Sequence, residues 1–395
     1  MKVLVANLGS TSFKYRLFEM EGEAARLLAT GGFERVTDHG EAIDQCLASL
    51  RGEGLISSLD DLGAVGFKAV HGGEVSGCLL ADDRVLDALD RFADIAPAHN
   101  PAYAAGIRQF RDRSATLPLV ALFETAFYQW EDEAARRYAV PEPWYEVGIR
   151  RYGFHGASHK FVAERSAELL GREDLAAATR RLYLDGPARL DGDPVRVISC
   201  HLGGSSSIAG IRNGAAIGCS LGFSPQSGIP HNNRVGDLDS AALPYAMRHL
   251  GITVEEAERQ LARDGGLLGL SGISNDMRDI RKAAAEGDQR ARLALDVLVQ
   301  QIRHWVGGFL AELNGCDALV FTGGIGENNP WLRAEVCRDL GNLGIELDAE
   351  RNTNFFAPET DLSAEGSTSR VYVIPANEEL VVARETQRLV SSLAN

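Results

Sequence analysis

Residues 195–214, VRVISCHLGGSSSIAGIRNG, have the pattern of a strand, a glycine-rich turn and a second strand. An apolar, β-branched run leads into H-L-G-G at 201–204, three serines follow, and a second apolar run begins at Ile208. This order is typical of a β-hairpin. Successive backbone amides in such a turn can form a concavity of partial positive charge that holds a phosphate. An ordinary Gly/Ser turn has the same composition, so this stretch alone leaves both interpretations open.

The beginning of the chain repeats this design. Residues 1–18, MKVLVANLGSTSFKYRLF, also run strand, turn, strand. Aligning N-L-G at 7–9 with H-L-G at 201–203 brings hydroxyl residues into register in the two turns. Two similar hairpins near the beginnings of two halves predict an internal duplication, with a cleft between the halves.

Bulk properties exclude several classes of protein. The 395 residues, 45% hydrophobic and 24% charged, suit two domains of ordinary globular composition. The net charge of −15 argues against general binding of nucleic acid or an anionic membrane, though a small anion responds to local charge. Six dispersed cysteines without a C-x-x-C pair predict reduced, mostly buried thiols in a cytoplasmic protein. No secretory signal is recognised, and no uncharged run approaches the ~18 residues of a membrane span.

Apolar strands alternate with amphipathic helices, which predicts an α/β fold. Strands after the opening hairpin are predicted at 64–70, 118–123, 318–321 and 371–374. Helical patterns occupy 41–51, 82–92, 101–111, 129–138, 160–170, 240–250, 254–263, 277–286, 288–313 and 377–389. Residues 171–194, with D-G-P at 185–187 and D-G-D-P at 191–194, are predicted to form an exposed connection, and 222–239 an irregular polar segment.

Several charged residues have both a functional and a structural interpretation. Lys68 interrupts an apolar strand, so its ammonium needs a route to solvent or an anionic partner. Glu124 and Glu378 follow strands, where a carboxylate can bind a metal or favour the start of a helix. Arg234 lies in a polar loop, where an arginine is usually a solvated charge, and residues 274–278 resemble an ordinary helix cap.

Glycine-rich turns carry the remaining candidates. Residues 322–330, T-G-G-I-G-E-N-N-P, follow a strand and precede a predicted helix, a setting in which backbone can approach a nucleotide closely. A tight turn explains the same residues. His155 and His201 lie beside glycines, where a structural hydrogen bond is the simpler role. Neither zinc-ligand spacing nor a Ser-His-Asp order stands out, so hydrolase and metalloprotease functions are weakly supported.

Seven blocks, in order along nearly the whole chain, resemble the acetate kinase family. They are N-L-G-S-T-S-F-K-Y (7–15), H-G-G-E (71–74), A-P-A-H-N-P (96–101), R-Y-G-F-H-G-A-S-H-K (151–160), H-L-G-G-S-S-S (201–207), F-T-G-G-I-G-E-N-N-P (321–330) and I-P-A-N-E-E-L (374–380). The resemblance implies an α/β fold of two duplicated actin-like ATPase (ribonuclease H-like) domains that flank a nucleotide cleft. The first domain would contain residues 1–128 and 379–395. The second, residues 129–378, would carry the nucleotide site and a dimer interface.

The resemblance implies Mg²⁺-dependent (or Mn²⁺-dependent) transfer of a phosphoryl group from ATP to acetate, giving acetyl phosphate and ADP, by a cytoplasmic homodimer. Such a transfer needs in-line positioning and positive charge around the moving oxygens more than covalent chemistry. Two alternatives remain: a kinase for a larger acid such as propionate or butyrate, and a nucleotide-binding regulatory protein that has lost turnover.

The resemblance also assigns roles position by position. The metal would be held near Asn7 and Glu378. The catalytic residues would be Glu124, His155, His201 and Arg234. The carboxylate would be bound by Lys68, Val70, Ala98, Phe154 and Pro225. ATP would be bound by Ser10, Ser12, Lys14, Gly203, Gly204, Ser205, Asp276, Met277, Arg278, Gly324, Ile325 and Asn328.

Some positions depart from the family pattern and bear on substrate choice. The family usually has arginine at the position of Lys68, aspartate at that of Glu124 and leucine at that of Ala98. Its H-L-G-N-G loop reads H-L-G-G-S here (201–205), and its G-T-R-S-G-D reads N-N-R-V-G-D (232–237). The smaller side chain of Ala98 predicts a roomier acyl pocket, in which propionate is used at least comparably with acetate.

Overall fold

Two six-stranded mixed sheets form the frame of the protein. The computed structural model describes residues 1–189, 192–354 and 359–393. The first sheet contains β1 (Lys2–Gly9), β2 (Ser12–Glu21), β3 (Ala24–Glu34), β4 (Ala64–Ala69), β5 (Cys78–Leu80) and β6 (Leu119–Phe123). The second contains β7 (Arg196–His201), β8 (Ser207–Arg212), β9 (Ala215–Cys219), β10 (Ala318–Thr322), β11 (Thr360–Asp361) and β12 (Arg370–Val373).

The two sheets have the same topology. Their strand orders are β3-β2-β1-β4-β6-β5 and β9-β8-β7-β10-β12-β11. In each, three antiparallel strands are followed by two parallel additions and one antiparallel edge strand. The predicted duplication and the α/β class of two similar actin-like domains are therefore confirmed.

Helices lie on both faces of the sheets. They are α1 (His39–Gly52), α2 (Asp83–Arg91), α3 (Asn100–Arg113), α4 (Glu133–Arg136), α5 (Glu142–Glu146), α6 (Gly156–Leu169), α7 (Glu173–Arg180), α8 (Leu182–Asp185), α9 (Ala242–Leu250), α10 (Val254–Arg259), α11 (Gly266–Ser271), α12 (Met277–Ala285), α13 (Gln289–Leu313), α14 (Gly323–Asn328), α15 (Pro330–Cys337), α16 (Ala349–Asn354) and α17 (Glu378–Leu393). Side-chain caps fix several of the starts. Asp38, Asp82 and Asp288 accept backbone N–H groups of the first turns of α1, α2 and α13.

Small residues let two helices approach their sheets closely. The C-terminal helix α17 returns to the first sheet over β4, where a Cβ on Gly66 would lie 2.4 Å from Thr386 Oγ1. The equivalent helix of the second half, α13, crosses β8, where a Cβ on Gly210 would lie 2.4 Å from Phe309. Because α17 returns in this way, both ends of the described chain belong to the first half.

Buried apolar residues form two cores. One extends from the first sheet across α6 to the near face of the second sheet, and the other lies between that sheet and α13. The alternation along the strands assigns Val197 and Val320 to the first core and Ile198 and Leu319 to the second. Five of the six cysteines are buried, Cys78 is half-buried, and all six are free thiols.

Some elements differ from the sequence prediction. Residues 171–194 do not form a plain exposed connection, because α7 and α8 bury Leu175, Ala176 and Leu182. Of the helical pattern at 129–138, only α4 is an α-helix. The segment 322–330 is helical from Gly323, so no extended glycine turn separates β10 from α14. Asp191, part of the predicted connection, lies outside the described residues, as do 394 and 395 of the first predicted domain. The domain boundaries stay a prediction.

Candidate active site

A cavity of about 270 Å³ lies at the ends of β1, β4, β6 and β7. Ligands of open α/β sheets commonly bind at such strand ends. The cavity is lined by Asn7, Lys68, Val70, His99, Tyr103, Glu124, Phe154, His155, His201, Gly203, Gly204, Ser205, Pro225, Arg234 and Glu378. Thirteen of these were predicted from the sequence; His99 and Tyr103 were not.

Lys68 lies between two carboxylates. Its Nζ is 2.6 Å from Glu378 Oε2 and 3.3 Å from Glu124 Oε1. Burial opposes the charge on Lys68, but the two carboxylates raise the pKa of its ammonium well above the ordinary value. Burial, aided by Glu378, raises the pKa of Glu124, whereas Lys68 and His201 hold that of Glu378 below its ordinary value despite burial. The ammonium of Lys68 is therefore stabilised by anionic partners and not by a route to solvent.

The two predicted histidines face the cavity together. The rings of His155 and His201 stack with centroids 4.3 Å apart. His155 precedes α6 with φ 57°, and the next N–H, of Gly156, donates to the backbone carbonyl of Glu124 at 2.9 Å. A Cβ on residue 156 would lie 2.3 Å from that carbonyl, so this position needs glycine. Burial lowers the pKa of both imidazoles. His201 lowers that of His155 further, whereas Glu378 opposes the lowering of the pKa of His201.

Arg234 brings the second cation to the cavity. It lies in the irregular segment between β9 and α9, and its Nη1 donates to the carbonyl of Pro225 at 2.7 Å. Burial lowers the pKa of Arg234, yet a guanidinium keeps its proton in proteins. Burial, with Lys68 and Arg234 adding, lowers the pKa of His99 to about 4, so this wall histidine is neutral. The two cationic side chains of the cavity are therefore Lys68, whose charge Glu378 and Glu124 balance, and Arg234.

His71 ties this irregular segment to the first sheet. The N–H of Gly73 donates to His71 Nδ1 at 3.0 Å, so Nε2 carries the proton and donates to the carbonyl of Phe223 at 3.1 Å. The ring stacks on Phe92 at 4.5 Å, and burial lowers the pKa of His71 to about 4. The H-G-G-E block therefore holds the segment that carries Pro225 and Arg234.

The two glycine-rich loops of the second half meet. The N–H of Gly203 donates to Ser206 Oγ at 3.1 Å, which leaves the amides of residues 204 and 205 at the cavity. From α14, the N–H of Ile325 donates to the carbonyl of Leu202 at 2.8 Å. The two loops are thereby joined through the carbonyl of Leu202.

The other predicted ATP residues lie outside this cavity. In the first hairpin, Ser10 is exposed, and Lys14 lines a small adjoining cavity of about 110 Å³ with Asn7. Ser12 is half-buried beside them. In the second half, the Asn329 amide contacts the sulfur of Met277 at 2.8 Å, which brings residues 276–278 against α14.

The predicted ATP-binding residues at α12 and α14 form local contacts within their own helices. Asp276 caps α12 and pairs with Arg278, whose side chain is 90% exposed. Asn328 Nδ2 donates to the carbonyl of Gly324 at 2.9 Å. Nothing lies within 4 Å of a Cβ built on Gly324, so its face is open.

Ala98 does not reach the cavity. It is exposed in the turn before α3, and the turn directs the next residue, His99, into the wall instead. Tyr103, one helical turn further along α3, donates its hydroxyl to Asn7 Oδ1 at 2.9 Å. Both unpredicted residues lie in or just after the A-P-A-H-N-P block, which was the only signal for them.

The carboxylates suit a hard divalent cation. Both oxygens of Glu124 and Oε1 of Glu378 are buried and accept no hydrogen bond from the described residues. With Asn7 Oδ1, they form an oxygen donor set of the kind that holds Mg²⁺ through one or two carboxylates, with water and phosphate completing the shell. The described ranges contain no group of three or more His, Cys, Asp or Glu side chains placed to hold a metal, at this site or at any other.

None of the helices in the described parts of the chain is both long enough and apolar enough to span a membrane.

Comparison with known proteins gives the family. The model of the Acetokinase family matches residues 29–384. Acetate kinase from Bacillus cereus (strain ATCC 14579) is 39% identical over 98% of both chains, and acetate kinase from Shouchella clausii is 38% identical over 99% of this chain and all of that one. Among solved structures, Porphyromonas gingivalis acetate kinase superposes with a TM-score of 0.86 at 34% identity, covering 98% of this chain and 99% of that one. A propionate kinase from Francisella tularensis gives a TM-score of 0.83 at 31% identity with the same coverage. The chain therefore belongs to the acetokinase family, whose members are kinases that phosphorylate a carboxylate.

Proposed function

We propose that this protein transfers the terminal phosphoryl group of ATP to acetate, reversibly, giving acetyl phosphate and ADP. The observation that carries the proposal is the single cavity in which Arg234, Lys68 and two stacked histidines face a glycine-rich loop. A carboxylate acceptor and a phosphate donor are both anions, so a site that joins them must supply cations and N–H donors.

The residues have distinct proposed roles. Arg234, which presents a planar fork of N–H donors, holds oxygens of the carboxylate and of the moving phosphoryl group. His155 and His201 donate to the equatorial oxygens, and the amides of residues 204 and 205, in the loop that begins at Gly203, bind the nucleotide phosphates. The apolar wall of Val70, Phe154 and Pro225 contacts the acyl group. The cavity thereby orients the two reactants and excludes water, which limits loss of the phosphoryl group to hydrolysis.

Asn7 and Glu378, with Glu124 beside them, are proposed to hold Mg²⁺ or Mn²⁺ directly or through water. The buried oxygens of Glu124 and Glu378 that accept no hydrogen bond from the described residues support this assignment. A bound divalent cation would neutralise charge on the phosphate oxygens. Ser10, Ser12 and Lys14 are proposed to contact the phosphates from the first hairpin, and the face formed by residues 276–278 and α14 to contact adenosine.

A carboxylate panel tests the proposal. Acyl phosphate would be trapped as the hydroxamate in reactions of the purified protein with ATP, Mg²⁺ and acetate, propionate or butyrate. We expect acetyl hydroxamate to form in the presence of ATP and divalent metal only. Nucleotide binding without any acyl phosphate from the three acids would contradict the proposal and favour a regulatory role.

A larger acid is the second candidate. The Francisella propionate kinase is about as similar to this chain as the acetate kinases of known structure. The sequence-based argument from Ala98 does not support this candidate, because Ala98 is exposed and lies outside the cavity. Ala98→Leu should therefore leave the kcat/KM ratios of acetate, propionate and butyrate unchanged, and a shift toward acetate in this variant would return Ala98 to the acyl pocket.

The second half is proposed to form the interface of a cytoplasmic homodimer. Within the described residues, α9 has no buried residue, and Tyr245 and Leu250 on it are 59% and 67% exposed. Leu238, shortly before α9, and Val254, at the start of α10, are also exposed apolar residues. Apolar patches of this kind on a soluble chain commonly mark an interface, and the free thiols agree with a reducing compartment.

A further inference from the structure

Three residues behind the cavity wall form a hydrogen-bonded chain with His155. His155 Nδ1 lies 2.8 Å from Ser207 Oγ. The same hydroxyl oxygen lies 2.7 Å from His159 Nε2, and His159 Nδ1 lies 2.8 Å from Ser199 Oγ. Ser199, His159 and Ser207 are fully buried, so water does not complete their hydrogen bonds.

The secondary structure explains why these groups meet. Ser199 and His201 share one face of β7 because strand side chains alternate, and Ser207 lies opposite His201 on β8. The helix α6 covers this face and presents Ser158 and His159 within one turn of His155. A pair of neighbouring strands and one helix therefore fix every member of the chain.

The protons of this chain have only two self-consistent arrangements. Burial lowers the pKa of His155 and of His159 well below the ordinary value, so both rings are neutral and each carries one N–H. The Ser207 hydroxyl has one proton to place between them. If Ser207 donates to His155 Nδ1, it accepts from His159 Nε2, and His159 Nδ1 then accepts from Ser199. If the direction is reversed, His155 donates from Nδ1, and the Ser199 hydroxyl must find another acceptor.

Counting donors selects the first arrangement. Ser199 Oγ has no hydrogen-bond partner other than His159 among the residues that the structure describes. In the reversed arrangement, the O–H of Ser199 would be a buried donor without an acceptor, which costs free energy. In the first arrangement, every N–H and O–H of the four residues has an acceptor, except the N–H on His155 Nε2. That N–H is the one left for the cavity.

We propose that Ser199, His159 and Ser207 fix the tautomer of His155, so that its Nε2–H is presented to the cavity as a hydrogen-bond donor. Ser158 does the same for His201: its hydroxyl lies 2.8 Å from His201 Nδ1, while Nε2 lies on the side of Gly203, 3.8 Å from a Cβ built there. The reversed tautomers would present lone pairs to the phosphoryl oxygens and repel them. Ser199, His159, Ser207 and Ser158 are positioning residues in this account. Its functional part rests on the proposed phosphoryl transfer, whereas the tautomers are a property of the free protein.

The tautomers can be measured directly. Imidazole ¹⁵N shifts would be recorded for the histidine-labelled free protein at neutral pH, with assignments from His155→Gln and His159→Gln. We expect a protonated Nε2 and an unprotonated Nδ1 for His155 and for His159. A protonated Nδ1 on His155, or a doubly protonated ring, overturns the inference whether or not the protein turns over acetate.

Substitution separates positioning from folding. In Ser207→Ala, we expect His155 to lose its fixed tautomer, seen as averaged ¹⁵N shifts, and kcat to fall about tenfold, the worth of one hydrogen bond, with KM little changed. Ser207→Thr, which keeps the hydroxyl, should restore both. In the matched variant Ser158→Ala, the shifts of His201 should change and those of His155 should not. Unchanged His155 shifts in Ser207→Ala overturn the inference, and a tautomer change without a rate effect would overturn the proposed role of His155 instead.

Discussion

Arg234 is the residue whose chemistry can be isolated most cleanly. Its side chain reaches the cavity from an irregular segment and donates a hydrogen bond to the Pro225 carbonyl in the same segment, so no helix or strand depends on it. If the guanidinium stabilises charge in the transition state, Arg234→Ala should lower kcat by roughly a hundredfold or more. ATP affinity and melting temperature should change little. Steady-state kinetics, calorimetric titration and thermal melting would measure the three quantities.

The control for that variant removes an arginine elsewhere. Arg172 pairs with Asp174 at the surface, so Arg172→Ala should leave kcat and melting temperature near their original values. Ordinary turnover in Arg234→Ala would remove the residue from the proposed chemistry.

Gly324 gives a test of the nucleotide face. A Cβ at this position meets no protein atom within 4 Å and its backbone needs no positive φ, so Gly324→Val should fold normally. If adenosine lies against this backbone, the valine should weaken ATP binding at least tenfold by steric exclusion. Isothermal titration would measure it.

Gly308 on α13 is the matched position, since a Cβ there also meets nothing within 4 Å. Gly308→Val should bind ATP as the original protein does. Equal ATP affinity in both variants would move adenosine away from residue 324.

The individual site residues differ in how visible they are in the sequence. Lys68 was conspicuous because it interrupts an apolar strand, yet nothing local showed that its partner is Glu378, 310 positions away. His99 and Tyr103 were missed because the direction in which a turn and its helix point side chains depends on how α3 packs on β1 and β4. The resemblance to the family supplied the positions of the site residues along the chain, and only the folded chain shows the distances between them.

At the scale of elements, a buried ion pair joins the two halves. Lys160 of α6 lies 2.9 Å from Glu385 of α17, and both side chains are 1% exposed. Glu385 also pairs with Arg388, whose Nη1 lies 2.6 Å from the same carboxylate oxygen, so Lys160→Met removes one of two counter-ions of a buried charge. The loss in the free energy of unfolding should therefore exceed about 1 kcal/mol but stay below the ~3 kcal/mol expected when a buried charge loses its only partner. Urea denaturation would measure this loss.

A surface pair provides the comparison. Arg181 and Asp185 lie four residues apart and are each 55% exposed, so Arg181→Met should cost less than about 1 kcal/mol. Replacing both members of the buried pair, in Lys160→Met with Glu385→Leu, should recover part of the stability. Equal losses of unfolding free energy in the two single variants would show that the buried α6–α17 pair contributes no more to stability than a surface pair.

Elements whose own sequence has an apolar periodicity were predictable, whereas a strand formed only by pairing with its neighbour was not. The long helix α13 and the buried strands β4, β6 and β10 followed from apolar patterning and caps. β3 has a mostly exposed pattern and is a strand because β2 pairs with it along its whole length. The helix α7 was not predicted because charged residues obscure its apolar pattern, although Leu175 and Thr179 lie one turn apart on its buried face.

At the scale of the whole molecule, the proposed dimer is testable from outside the active site. A carboxylate on the exposed face of α9 would be buried without a partner at the interface. Tyr245→Asp with Leu250→Asp should therefore shift the mass in solution from twice 42.6 kDa to 42.6 kDa. Light scattering coupled to size-exclusion chromatography would measure it. The control variant Leu27→Asp replaces a leucine of the first sheet that is 49% exposed, and it should remain dimeric. A monomeric original protein would contradict the proposal.

The hydrogen bond from His71 to the Phe223 carbonyl has a consequence for substrate size. It fastens the first sheet to the segment that carries Pro225, while Val70 lies next to His71 on the sheet side, so the opposing walls of the acyl pocket come from distant parts of the chain that this hydrogen bond holds together. The width of the pocket therefore depends on how the segment is held against the sheet as well as on the side chains that face the acid. Substitutions around His71 and Phe223 that never touch the acid can then change the preferred substrate while every residue of the pocket stays the same.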